Sequence, residues 1–67
     1  MKIKFKYNTA EIWGEGSPPD IDEIIYIHFN CQDQKYRVKS VSKNLICYEN
    51  KVYGTYFCEV ELEYVKQ

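Results

Sequence analysis

Tyr56-Phe57-Cys58-Glu59-Val60-Glu61-Leu62-Glu63-Tyr64-Val65 is the most regular stretch of the chain. Tyr56, Cys58, Val60, Leu62 and Tyr64 recur at every second position, and Glu59, Glu61 and Glu63 stand between them. A period of two is the side-chain repeat of an extended strand, with successive residues on opposite faces. The stretch therefore reads as a strand with an inward apolar face and an outward acidic stripe.

Two more stretches alternate in the same way with the opposite charge. At the N-terminus Lys2, Lys4 and Lys6 alternate with Ile3, Phe5 and Tyr7. From Lys35 to Val41, Lys35, Arg37 and Lys39 alternate with Tyr36, Val38 and Ser40. Opposite charges directly across a strand pair contribute roughly 0.2–1 kcal/mol each, and like charges repel. The acidic strand is therefore expected beside at least one basic strand, and the two basic strands are expected apart. This predicts that the first strand pairs with the last, bringing the chain ends together.

The segments between are read from their punctuation. Asn8-Thr9 signals a turn or bulge, and Ala10 to Trp13 a short strand or extension. Gly14-Glu15-Gly16-Ser17-Pro18-Pro19-Asp20 reads as a loop, because Gly and Pro interrupt regular structure. Ser17, Pro18, Asp20, Asp22 and Glu23 carry helix-start signals, so a helical turn over 19–23 is one reading. Ile24-Ile25-Tyr26-Ile27-His28-Phe29 is rich in β-branched and aromatic residues, and predicts a strand from Glu23 to Cys31. Ile25, Ile27 and Phe29 would face the core, with Tyr26 and His28 opposite. Cys31-Gln32-Asp33-Gln34 reads as a hairpin loop and Ser42-Lys43-Asn44 as a turn. Leu45 to Glu49 reads as a short strand, Asn50-Lys51 as its turn, and Gly54 as a turn or bulge. Turn signals at this spacing fit a small sandwich or barrel. The fold class expected is all-β, a small five-stranded antiparallel barrel or strongly twisted sheet, with residues 1–67 as one domain.

Composition bounds the function. The chain has 67 residues, a formal charge of −1, 45% hydrophobic and 16% aromatic residues. It is too apolar to be disordered by composition, and it holds no apolar run of about 18 residues, the length of a membrane-spanning helix. Its near-zero charge argues against strong, charge-driven binding of nucleic acid. The charged and apolar residues alternate from Lys2 to Lys6, so no secretory signal is read there, and an odd count of three Cys cannot close a complete disulfide framework. A cytoplasmic protein with reduced thiols is expected.

Catalysis needs convergent groups, usually held in a pocket, and no such constellation or phosphate-binding motif is visible, so a non-enzyme without a cofactor is expected. His28, Cys31, Cys47 and Cys58 contain the donors of a tetrahedral zinc site. Their spacing lacks the close Cys pairs of structural zinc modules, and Cys58 reads more simply as a small core residue. The seven Tyr and single Trp are the informative excess. Most Tyr are expected to roof a thin core, while Trp13, Tyr26, Tyr48 and Tyr53 are the candidates for a contact surface, since such rings dominate interface hot spots. Lys35, Tyr36, Arg37 and Lys39 form the one local set of cations beside a ring that could hold single-stranded bases.

Three segments in order, Pro19-Asp20-Ile21-Asp22-Glu23-Ile24-Ile25-Tyr26-Ile27, Tyr36-Arg37-Val38-Lys39-Ser40-Val41 and Cys58-Glu59-Val60-Glu61-Leu62-Glu63-Tyr64-Val65, together resemble small SH3-like barrels. The likeness is a pattern of apolar positions over about two-thirds of the chain, without a diagnostic motif; where such domains usually carry Gly before the first long strand, this chain has Asp22. The resemblance implies a fold and leaves function open, since such barrels include peptide binders, nucleic-acid binders and structural pieces of phage particles. An OB-like barrel is the competing reading. The function expected is a non-catalytic interaction module, binding a protein partner or itself through its Tyr and Trp, in the style of a bacterial or phage accessory protein. The alternatives are a weak single-stranded nucleic-acid binder and a structural zinc module.

Overall fold

The alternating segments form strands in a computed structural model, which describes residues 1–49 and 53–66 and, for Phe29, the backbone alone. Strand β1 is Lys2–Tyr7, β2 Ala10–Glu15, β3 Ile24–Phe29, β4 Gln32–Cys47 and β5 Gly54–Tyr64. They form one sheet in the order β2-β1-β5-β4-β3, curled into a half-barrel. Because β2 and β3 are its two edges, the barrel is open between them.

Two-residue turns close the first two hairpins. Asn8-Thr9 joins β1 to β2, with Tyr7 opposite Ala10 and Asn8 at φ 51°. Asn30-Cys31 joins β3 to β4, with Phe29 opposite Gln32 and both turn residues at positive φ, 50° and 62°. Two successive positive φ values match the right-handed twist of paired strands, and Asn tolerates them well. Cys31 is thus a turn residue, and Gln32, Asp33 and Gln34, expected in a hairpin loop, already belong to β4.

β5 lies between the two basic strands. Lys4 and Lys6 stand opposite Glu59 and Glu61, and Arg37 opposite Glu63. The first strand does pair with the last, as the charges predict. The pairing is parallel, however, with Lys2 opposite Phe57 and Lys6 opposite Glu61. Two expectations are corrected by this: the sheet is not wholly antiparallel, and the chain ends lie toward opposite ends of the β1–β5 pair. Opposite charges attract whichever way the strands run, so the stripes select neighbours and leave direction to the connections. A parallel pair needs a long crossover, and here β2, β3 and β4 provide it.

β4 is one strand where two were expected. Ser42, Lys43 and Asn44, read as a turn, pair with Glu59, Cys58 and Phe57. The long β5 supplies a ladder that outweighs their turn propensity, and Asn44 Nδ2 instead donates to Ser42 O and Ser42 Oγ at 3.4 and 3.3 Å. The irregularity falls earlier, where the register shifts between Val38 and Ser40. One extra residue in a strand reverses the alternation after it. Val38 and Val41 therefore face inward, while Ser40, expected beside Val38, is exposed opposite Glu61. The expected turn at Asn50-Lys51 lies outside the described residues.

β2 runs further than Trp13, through Gly14 and Glu15, which were expected in the loop. Gly14 faces inward opposite Ile3, and the Phe5 ring lies 3.4 Å from where a Cβ would stand. The helix-start signals at 19–23 serve a single turn: Glu23 N donates to Asp20 O at 3.1 Å, and Asp20 N donates to Glu23 Oε1 at 3.1 Å. Asp22 adopts φ 73°, the left-handed conformation that favours Gly, and its N–H donates to Val38 O at 2.8 Å. The turn delivers the chain into β3.

The core sits on the inner, concave face of the three middle strands. Ile3, Tyr36, Val38, Cys58, Val60 and Leu62 are buried, and Val38 and Val60 have no exposed surface. Phe5, Tyr7, Ile25, Ile27 and Val41 pack around them. Each such aliphatic side chain stabilises the fold by about 1.5–3 kcal/mol when fully buried. Among the described residues, no helix is long and apolar enough to cross a membrane.

Candidate functional site

The outer face of β2, β1 and β5 carries an open concavity. Residue alternation sends Trp13, Lys2, Lys4 and Phe57 to this face, because each stands opposite another of the set: Trp13 opposite Lys4, and Lys2 opposite Phe57. Ile46 reaches the same face opposite Thr55. Trp13, Lys2, Phe57, Ile46 and Tyr48 line an open groove of about 560 Å³, with Lys2 and Glu15 standing opposite each other in its wall.

The rings at its centre are held from below. Trp13 and Phe57 approach to 5.5 Å between centroids, tilted by 53°. Lys4 Nζ lies 5.7 Å from the Trp13 ring and 5.5 Å from the Phe57 ring, and pairs with Glu59 Oε1 at 3.2 Å. A cation over two ring faces, itself fixed by a carboxylate, orients both rings. Trp13 is still 53% exposed and Tyr48 55% exposed, so their apolar surfaces stay available to another molecule.

Of the four residues expected to make a contact surface, Trp13 and Tyr48 are brought together in this groove. Tyr53 is exposed and lies just ahead of β5, at the same end of the β4–β5 hairpin as Tyr48. Tyr26 is exposed too, but on β3, the opposite edge of the sheet. Phe57 and Ile46 are site residues that sequence reasoning missed. The signal for Phe57 was present: it occupies an outward position, in line with Glu59, Glu61 and Glu63. Ile46 follows from the bulge in β4, which local sequence does not announce.

The other candidate sets are dispersed. Tyr36 is buried on the inner face, with Lys35 and Arg37 on the outer one. Its hydroxyl donates to Gln34 Oε1 at 2.6 Å, and its ring meets Tyr7 at 5.2 Å and Tyr64 at 5.7 Å. Burial, aided by Tyr7 and Tyr64, pushes its phenol above the ordinary 10.0. A ring so placed roofs the core and offers no face to a base. The four residues of the zinc set also stand apart. Cys31 is in the β3–β4 turn, Cys47 at the far end of β4, and Cys58 buried within β5. His28 is opposite Asp33, with His28 Nδ1 in contact with Asp33 Oδ1. Cys58 Sγ instead lies 3.2 Å from Met1 Sδ, as a small core residue would.

Comparison with protein-family models, with curated proteins and with solved structures finds no match to this chain.

Proposed function

We propose that the chain is a non-catalytic interaction module, and that it binds a protein partner in the outer groove through Trp13, Phe57 and Tyr48. The observation that carries this reading is the exposed Trp13 ring, fixed against Phe57 and Lys4 at the centre of a 560 Å³ groove. A large ring that is both exposed and pre-oriented loses little conformational freedom on binding, which is why Trp and Tyr serve as interface anchors. Lys2 and Glu15 in the wall would set the register of the partner's polar groups. Tyr53 extends the surface beyond the groove. The SH3-like reading and the setting of a cytoplasmic bacterial or phage accessory protein belong to the same proposal, supported by the barrel-like sheet and the motif-poor composition.

The single-stranded nucleic-acid reading has less support, because the only ring among Lys35, Tyr36, Arg37 and Lys39 is buried. The test is affinity capture from the source organism with the wild-type chain and with Trp13→Ala. A protein found only with the wild type is then purified and titrated against the chain, with Trp13 fluorescence as the readout. A saturable spectral change, with affinity at least tenfold weaker for Tyr48→Ala, supports the groove. Equal capture by both chains, or affinity unchanged in Tyr48→Ala, overturns it.

A further inference from the structure

The half-barrel has two open edges of equal length, and they differ in charge. The two-residue turns determine which backbone groups point outward at each. In such a hairpin the residues flanking the turn exchange both hydrogen bonds, and the alternation continues from there. On β3 the pair is Phe29 and Gln32, so Phe29, Ile27 and Ile25 bond to β4, while Ile24, Tyr26 and His28 aim their N–H and C=O at the free edge. The bond from Val38 N to Glu23 O, 2.9 Å, keeps the same phase. On β2 the pair is Ala10 and Tyr7, which leaves Glu11, Trp13 and Glu15 aimed outward.

A second copy of the chain meets these edges differently. Two β2 strands paired antiparallel about Trp13 would set Glu11 of each against Glu15 of the other, a like-charge contact that disfavours pairing. Two β3 strands paired about Tyr26 would meet no charge conflict, because Ile24-Ile25-Tyr26-Ile27-His28-Phe29 holds no Lys, Arg, Asp or Glu. Ile24 of one copy would bond to His28 of the other, and Tyr26 to Tyr26. Ile25 would stand opposite Ile27 on the inner face, where both already pack against the core. Natural edge strands are usually guarded by charge, Pro or a bulge. Glu11 and Glu15 guard β2; the described residues of β3 have no such device, and Ile24 and Tyr26 remain 36% and 56% exposed. Among the described residues the core has six buried side chains, and chains this small often complete themselves by association.

We infer that β3 is a self-association edge, on which two copies of this chain pair antiparallel about Tyr26 to make one continuous sheet with a two-fold axis. This edge is independent of the Trp13 groove, which stays open in the dimer.

Sedimentation equilibrium on the full chain tests it, from about 1 µM to about 1 mM, since a one-strand interface is small and its affinity modest. The expected result is a mass rising from 8.1 kDa to twice that value and levelling there. Tyr26→Lys sets like charges at the axis and should remain monomeric, while Glu11→Gln on the other edge should dimerise as the wild type does. Mixing Tyr26→Lys with Tyr26→Glu should restore the dimer, which separates a lost interface from a lost fold. A wild type monomeric at every concentration overturns the inference. So do a dimer that persists in Tyr26→Lys, a mixture that stays monomeric, and a mass that grows without levelling, the mark of head-to-tail β3-on-β2 pairing.

Discussion

The two faces of the sheet draw on the same kinds of residue and use them differently. On the inner face Tyr36, Val38, Val60 and Leu62 are covered by the curl of the sheet, and two of them have no exposed surface. On the outer face Trp13 and Tyr48 have rings as large, yet each remains more than half exposed. The difference is curvature. A concave face brings its side chains toward one another until they exclude water, whereas a convex face spreads them. Apolar composition therefore measures core plus exposed apolar surface, and among the described residues more large apolar side chains are exposed than buried.

The sharpest way to break the contrast is to truncate one side chain on each face. Val60→Ala should lower unfolding free energy by about 2–3 kcal/mol, because it opens a cavity in a region that cannot collapse. Thermal melting should register this as a fall of roughly 10–20 °C. Gly54→Ala approaches the core from its rim. A Cβ there would lie 2.5 Å from Ile46 O, which is backbone, so the β4–β5 pairing must shift. A loss of about 1–3 kcal/mol in urea unfolding is expected, as for other overpacked sites. Trp13→Ala removes more atoms than Val60→Ala, yet should cost only about 1 kcal/mol, the worth of an aromatic contact at a half-exposed site. Stability comparable to that of Val60→Ala would show that the outer face is core after all.

Two smaller effects refine the comparison. The Lys4–Glu59 pair is partly covered, with side chains 18% and 26% exposed. A double-mutant cycle of Lys4→Ala with Glu59→Ala should give roughly 0.5–1 kcal/mol of coupling, diminished at high salt. Tyr36 supplies the inner-face counterpart in alkali. Its pKa in the folded chain is raised above 10.0, so the folded state keeps a proton that the unfolded state loses. The associated stability is present in full below about pH 10 and declines as pH rises through the folded value. Urea unfolding across that interval should show the decline in the wild type and a shallower one in Tyr36→Phe.

Much of this arrangement was legible in the chain. The alternation of Tyr56 to Tyr64 and of Lys2 to Tyr7 picked out the core residues Ile3, Phe5, Tyr7, Cys58, Val60 and Leu62, because a period of two has one face to bury, while Tyr56 and Tyr64 at the ends of β5 stay exposed. The charge stripes put the acidic strand beside a basic one and kept the two basic strands apart; that β5 has a basic strand on each side came from the fold. The reading failed where non-local hydrogen bonding overrode local propensity. Ser42-Lys43-Asn44 and Gly14-Glu15 are turn and loop residues by composition, but a neighbouring strand offered each a ladder to join. It failed again at the bulge after Val38, where one unpaired residue moved Ser40 outward and Val41 inward. Trp13 and Tyr48, expected as contact residues, line one groove, and that Phe57 and Ile46 line it with them was not read from the sequence.

What the sequence determined by itself was the strand character of the chain, the face of most side chains and which strands attract each other. These depend on spacing and charge, which are properties of neighbours along the chain. Only the tertiary structure decided the parallel direction of β1 against β5, the grouping of Trp13 with Tyr48 away from Tyr26, and the emergence of β2 and β3 as open edges. Those features depend on which strand ends up beside which and in what register, and a two-residue repeat is indifferent to both.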